Sequence, residues 1–183
     1  MIPELTAEGY LPLGRYRATE SEIESRFVTG IPTPRRAEVW SHWLQATSHL
    51  RALVPVCAAW LGGSFLSEKP EPDDVDVLYV IGSRELLTAR FRDANAANVL
   101  AAFSNAKQVR ETTGLRVDTY IYSWNRNTAA DLPRLSHGES YMQRGYWDEL
   151  WSRRLNGPKG SRSDADAVPS RGFLEVVLDG YNA

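Results

Sequence analysis

Apolar positions along this chain follow two rhythms, one helical and one alternating. Between residues 33 and 53, Trp40, Trp43, Leu44, Leu50 and Leu53 return at roughly helical spacing, which predicts a long helix laid on a sheet by its Trp and Leu stripe. Thr33 is its expected N-cap and Pro34 its first residue, where a missing N–H does no harm. Residues 54–61 are mostly apolar, are bounded by Gly62-Gly63, and read as a buried strand. A second strand is predicted over 75–81, rich in β-branched residues and followed by Gly82. Ser83 is the expected cap of a helical crossover carrying Leu86, Leu87, Phe91, Val99, Leu100 and Phe103, with a break between 93 and 98 and an end at Gly114. Residues 115–124 alternate as a third strand, with Leu115, Val117, Thr119 and Ile121 on one face and Arg116, Asp118, Tyr120 and Tyr122 on the other.

The ends are less regular. Pro3, Gly9, Pro12 and Gly14 break any period in 1–18, which reads as an extended arm lying on the body. Thr19-Glu20-Ser21-Glu22 fits a capping box, opening a short helix to about Phe27 that Gly30 and Pro32 stop. After a polar, turn-rich stretch at 125–138, a helix is predicted over 139–155, with Met142, Tyr146, Trp147, Leu150 and Trp151 as its apolar side. Residues 156–172 read as an exposed loop, and 173–178 as a last strand.

Composition adds limits. The 183 residues suffice for one substantial core, and no apolar run reaches the ~18 residues that a spanning helix needs. The start MIPELTAEGY lacks the basic and apolar regions of a secretion signal, and the lone cysteine, Cys57, forms no intrachain disulfide. A cytoplasmic location with no membrane contact is the expectation. A net charge of −2 and a pI near 5.9 argue against a broadly basic surface, so duplex DNA is not an expected partner.

The candidate chemistry sits in WLGGSFLSEKPEPDDVDVLYV. Gly62, Gly63 and Ser64 are followed, nine residues later, by Asp74-Val75-Asp76-Val77. On a strand Asp74 and Asp76 share a face, and a crowded carboxylate pair is most often neutralised by a hard divalent cation. If the strands lie in one sheet, Asp118 joins them from 42 positions beyond Asp76. Such a set can hold two metal ions across a phosphoryl transfer, with Asp76 bridging and Asp118 near the attacking hydroxyl. Gly62 and Gly63 would let the backbone approach a phosphate that Ser64 and a following helix N-terminus hold.

The string GGS, nine residues, DVDV and a later RVDTY resembles the nucleotidyltransferase signature of the DNA polymerase beta superfamily. The resemblance implies an α/β (α+β) nucleotidyltransferase-like mixed sheet with helices packed on it. Residues 1–183 would form one domain: an arm and short helix (1–32), a core (33–124), and a closing helix, loop and strand (125–183). It also implies triphosphate contacts at Gly63 and Ser64, and two magnesium ions, or manganese in their place, on Asp74, Asp76 and Asp118. The substrates would be an NTP and an unknown hydroxyl-bearing acceptor: a small molecule, a protein or an RNA end. LPLGRYRATESEIESRF and GSFLSEKPEPDDVDV are further similar to a group of small bacterial nucleotidyltransferase-like proteins of unassigned function.

Other residues carry two readings. Lys69 and Lys159 lie in loops that would reach a triphosphate, although a solvated lysine is the simpler assignment. Arg153 and Arg154 share that ambiguity. Arg116 flanks Asp118 and would pair with the carboxylates in place of a metal. No appended substrate-recognition domain is evident, so a non-catalytic nucleotide-binding or protein-interaction module, antitoxin-like for example, stands as the alternative. His42, His49 and His137 read as packing, surface and loop residues, Cys57 as an inert buried thiol, and the tryptophans as core.

Overall fold

A computed structural model describes residues 1–125, 138–154 and 163–181. Five strands, β1 (Arg15–Arg17), β2 (Ala58–Gly62), β3 (Val75–Gly82), β4 (Val117–Trp124) and β5 (Phe173–Val177), form one mixed sheet in the order β1-β5-β2-β3-β4. Among the described residues there are six α-helices: α1 (Glu20–Ile23), α2 (Pro34–Arg51), α3 (Ser83–Arg92), α4 (Ala94–Phe103), α5 (Gln108–Thr113) and α6 (Gly138–Trp151). The protein is therefore a mixed α/β structure. None of these helices is long and apolar enough to cross a membrane.

Local sequence explains most boundaries. Thr19 forms the expected capping box, its hydroxyl accepting from the Glu22 N–H at 3.2 Å while the Glu22 carboxylate accepts from the Thr19 N–H at 2.8 Å. α1 widens into a π-helical turn, Glu24–Thr29, capped at Gly30. Thr33 caps α2, with Pro34 as its first residue. Asp93 stops α3 and caps α4 by accepting from the Ala96 N–H at 2.7 Å, which is the expected break in the crossover. Because β3 and β4 are parallel, their connection must return the chain to the same edge, and α3, α4 and α5 do so.

The sheet is buried on both faces. One face carries Ala59, Leu61, Val75, Val77, Tyr79, Ile81, Val117, Leu174 and Val176, covered by Val39, Trp43, Ala46 and Leu50 of α2 and by Leu86, Leu100 and Phe103 of the crossover. The opposite face carries Ala58, Trp60, Leu78, Val80, Tyr122 and Phe173 under Trp151 of α6. At about 25 cal/mol per Å² of apolar surface, each fully buried Trp or Leu stabilises the fold by about 2 kcal/mol before entropy is counted.

Several expectations shift. β2 begins four residues later than predicted and β4 two residues later, while β5 ends one residue earlier. Residues 1–18 end in an edge strand, β1, which pairs in parallel with β5. Gly82 rather than Ser83 precedes α3, with no side-chain cap. Leu44, Leu87, Phe91, Met142 and Tyr146 were expected on apolar faces but are exposed. α6 stops at Trp151, short of 155. The first predicted loop, 125–138, falls almost wholly outside the described residues, as do 156–162 of the second, Lys159 and His137. The described end of the second one is more ordered than expected: Ser163 caps a short 3-10 turn, Asp164–Ala167, through a bond from its N–H to Asp166 at 2.8 Å.

Candidate functional site

Strand register assembles the site. Gly62 on β2 pairs with Asp76 on β3, and Asp76 pairs with Asp118 on β4. Asp76 and Asp118 are therefore neighbours on the same sheet face, the face that α6 covers. Gly62 and Gly63 leave the room they need. A Cβ on Gly62 would stand 3.0 Å from the Trp151 indole nitrogen, which donates to the Trp60 carbonyl at 3.2 Å. A Cβ on Gly63 would stand 2.4 Å from Asp76 Oδ2, and Gly63 has φ +78°, ψ −169°, a backbone region nearly confined to glycine. Its backbone thus lies directly against the Asp76 carboxylate.

Tyr120, two residues after Asp118, forms the next wall, with Trp147 at 5.3 Å and Trp151 at 5.6 Å between ring centroids. Burial and then the Asp118 and Asp76 carboxylates push its hydroxyl up to about 12, so it stays protonated and can donate a hydrogen bond.

The helix α5 and the turn before it hold the other carboxylate contacts. Lys107, at φ +64°, donates its N–H to Asp118 Oδ1 at 2.6 Å. Arg110 forks onto Asp73 at 2.8 and 3.1 Å and reaches Asp74 Oδ2 at 2.9 Å. These contacts, the Asp73 hydrogen bond first, raise the Arg110 pKa further. Arg116 pairs instead with Asp73 Oδ1 at 3.1 Å and Glu38 Oε2 at 3.2 Å. The guanidinium that meets the predicted triad is thus Arg110, not Arg116. An arginine 36 positions from its carboxylate leaves no periodic signal, so sequence reading missed it.

The remaining predicted residues divide. Ser64 opens a 3-10 turn of only three residues, Ser64–Leu66, so the expected helix N-terminus behind the glycines is not formed. Lys69 is exposed, and its carbonyl, accepting from Arg36 at 2.6 Å, is what fixes this loop. Arg36 was also missed. Fully buried, it donates to the carbonyls of Phe27 at 2.9 Å, Phe65 at 2.8 Å and Ser67 as well, tying the π-helical turn, the 3-10 turn and the loop to α2. His42 has a structural task, accepting from the Arg116 N–H at 3.1 Å. Cys57 is buried, and desolvation pushes its thiol up, as expected of an inert side chain.

Whether these residues suit a divalent cation turns on the oxygens they present. Asp76 and Asp118 do suit one, being adjacent acidic side chains with Asp118 Oδ2 accepting no hydrogen bond from a described residue. Asp74 shares its charge with Arg110. Among the described residues, no three His, Cys, Asp or Glu side chains meet closely enough to share an ion. The donor set thus fits one cation on the pair better than two on a triad.

A second polar cluster lies on the same face. Glu175 of β5 is buried and accepts from Tyr181 at 2.5 Å, Trp60 at 3.3 Å and Arg17 at 3.3 Å. A surface cleft of about 880 Å³ lies elsewhere, lined by Met1, Ile2, Leu5, Ser21 and Arg26 among others, away from the carboxylates.

No curated protein and no solved structure matches this chain. One family profile does, over residues 3–176, which takes in four strands and all but the last residue of β5. The chain belongs to DUF6932, a family of unknown function.

Proposed function

We propose that the chain is a nucleotidyltransferase-like protein that uses Asp76 and Asp118 to hold a divalent cation for transfer of a nucleotidyl group. The observation that carries this is the row Gly62–Asp76–Asp118, in which a glycine backbone abuts one member of an adjacent carboxylate pair. Magnesium, or manganese in its place, would supply charge neutralisation at the phosphate when bound. The chain's own residues would do the rest. The Gly63 backbone lets a phosphate come close, Asp118 Oδ2 receives the acceptor's proton, and protonated Tyr120 donates to a phosphate oxygen. The acceptor oxygen forms its bond to the α-phosphorus as the bond to the bridging oxygen breaks, and the electron pair leaves on pyrophosphate. The acceptor is a hydroxyl on a small molecule, a protein or an RNA end.

The Arg110 contact favours a second reading. A guanidinium at 2.9 Å from Asp74 does part of a cation's work, as expected of a nucleotide-binding or protein-interaction module that has lost the chemistry. One experiment separates the two. The full chain is incubated with each labelled NTP, magnesium and acceptors of the three kinds, beside Asp76→Asn and Asp118→Asn. Pyrophosphate release that falls ~10²-fold or more in both variants supports the enzyme. Magnesium-dependent NTP binding without release selects the module, and absence of both overturns the nucleotide reading.

A further inference from the structure

A single piece of chain, the turn between α4 and α5 with the start of α5, touches both Asp118 and Asp74. α4 closes with the Asn105 side-chain amide donating to the Ala101 carbonyl at 2.7 Å, and the chain then turns at Lys107. Among the described residues Lys107 is the one non-glycine with positive φ, at φ 64°, ψ −15°. There the Cβ crowds the following carbonyl, so a lysine holds this conformation only where surrounding contacts over-determine it. They do: the Lys107 carbonyl accepts from the Glu111 N–H at 2.8 Å and opens α5, Val109 is buried in the core, and Arg110 forks onto Asp73 at 2.8 and 3.1 Å.

The conformation decides where a donor points. Were Lys107 helical, its N–H would run along the axis toward the carbonyl four residues back, that of Phe103. The left-handed turn frees that N–H, and it goes to Asp118 Oδ1 at 2.6 Å, a length typical of a bond to a charged acceptor. Asp118 is half-buried on β4, and the χ2 torsion of an aspartate is otherwise broad and roughly two-fold. One bond to Oδ1 fixes that torsion and leaves Oδ2 open. Asp76, its neighbour in the register, is already confined by the Gly63 backbone.

We infer that Lys107 is a positioning residue: its left-handed backbone aims the N–H at Asp118 Oδ1 and so presents Oδ2 to a divalent cation shared with Asp76. The cation half of this rests on the proposed function, whereas the orientation of Asp118 is testable without it. The device lies in the backbone, so it depends on which side chains tolerate φ 64° and not on the lysine ammonium. Glycine and asparagine hold that conformation readily, and a β-branched valine does not.

The test titrates manganese alone, without nucleotide, into the full chain by calorimetry. Lys107→Val is expected to bind about tenfold more weakly than wild type, the size usual for loss of a bond that orients a metal ligand, while the conservative Lys107→Asn and Lys107→Gly restore binding to within about twofold. Melting curves confirm that each variant folds. A folded Lys107→Val that binds as wild type does, or asparagine and glycine variants as weak as valine, overturns the assignment, since a turn that only breaks the helix changes stability and not metal affinity. The Lys107 amide proton gives a reading without metal: its NMR resonance should lie downfield in wild type and move upfield in Asp118→Ala, and a resonance that stays in place overturns the orientation. An Asp118-dependent amide shift in a chain that binds no manganese leaves the orientation standing and removes the cation reading. Manganese binding that is lost in Asp76→Asn and Asp118→Asn but unchanged in Lys107→Val does the reverse.

Discussion

Gly63→Ala perturbs the point where backbone and carboxylate meet, and its size follows from two separable terms. The backbone at φ +78°, ψ −169° is one that an L-residue holds at roughly 1–3 kcal/mol. The added Cβ would also stand 2.4 Å from Asp76 Oδ2, about 1 Å inside ordinary contact, so the carboxylate or strand must shift. Together they predict a loss of about 2–4 kcal/mol, or roughly 5–15 °C in Tm for a chain of this length. Urea and thermal denaturation followed by circular dichroism measure it. Asp76→Ala removes the colliding oxygen but leaves the backbone strain, so the double variant should recover only part of the loss. A Gly63→Ala protein melting within about 2 °C of wild type would refute the reasoning, and additivity of the two changes would remove its steric half.

Two further outcomes follow from buried charge. Arg36→Met deletes four charged hydrogen bonds to backbone carbonyls and should destabilise by about 3–5 kcal/mol, read as a fall in the urea midpoint; a change under about 1 kcal/mol would contradict this role. For Glu175, burial raises the pKa, but Tyr181, Arg15, Trp60 and Arg17 together outweigh it and the net shift is downward. Its contribution is therefore present above its unfolded pKa, near 4.5, and is lost as pH falls through the lower folded value. Wild type should lose stability on acidification below about pH 4.5 more steeply than Glu175→Gln, and parallel profiles would count against this.

Much of the scaffold was legible because it is written locally. The Thr19 and Thr33 caps, the Asp93 break and the alternation in β4 each depend on a few adjacent residues, and each appears where local chemistry puts it. Strand starts were harder, since residues 54–57 are as apolar as β2 itself and only pairing with β3 and β5 decides where the ladder begins. The second buried face was hidden for a related reason: a strand covered on both sides, such as β3, offers no polar alternation to separate Leu78 and Val80 from Tyr79 and Ile81.

By itself, the sequence determined that two glycines precede two strand-borne carboxylates, and that a third carboxylate lies within a later strand. Parallel pairing of β3 with β4 then made Asp76 and Asp118 neighbours, which no spacing between residues 42 positions apart can specify. Only the tertiary structure decided which cations attend them. Arg110 reaches the neighbouring Asp74 and Arg171 acts on Asp76, each from an element distant in sequence, and long-range charge pairing depends on where surfaces meet rather than on any repeat along the chain. The glycine motif was plain from the start, while the electrostatic setting that would make it bind a cation or an anion is a property of the fold.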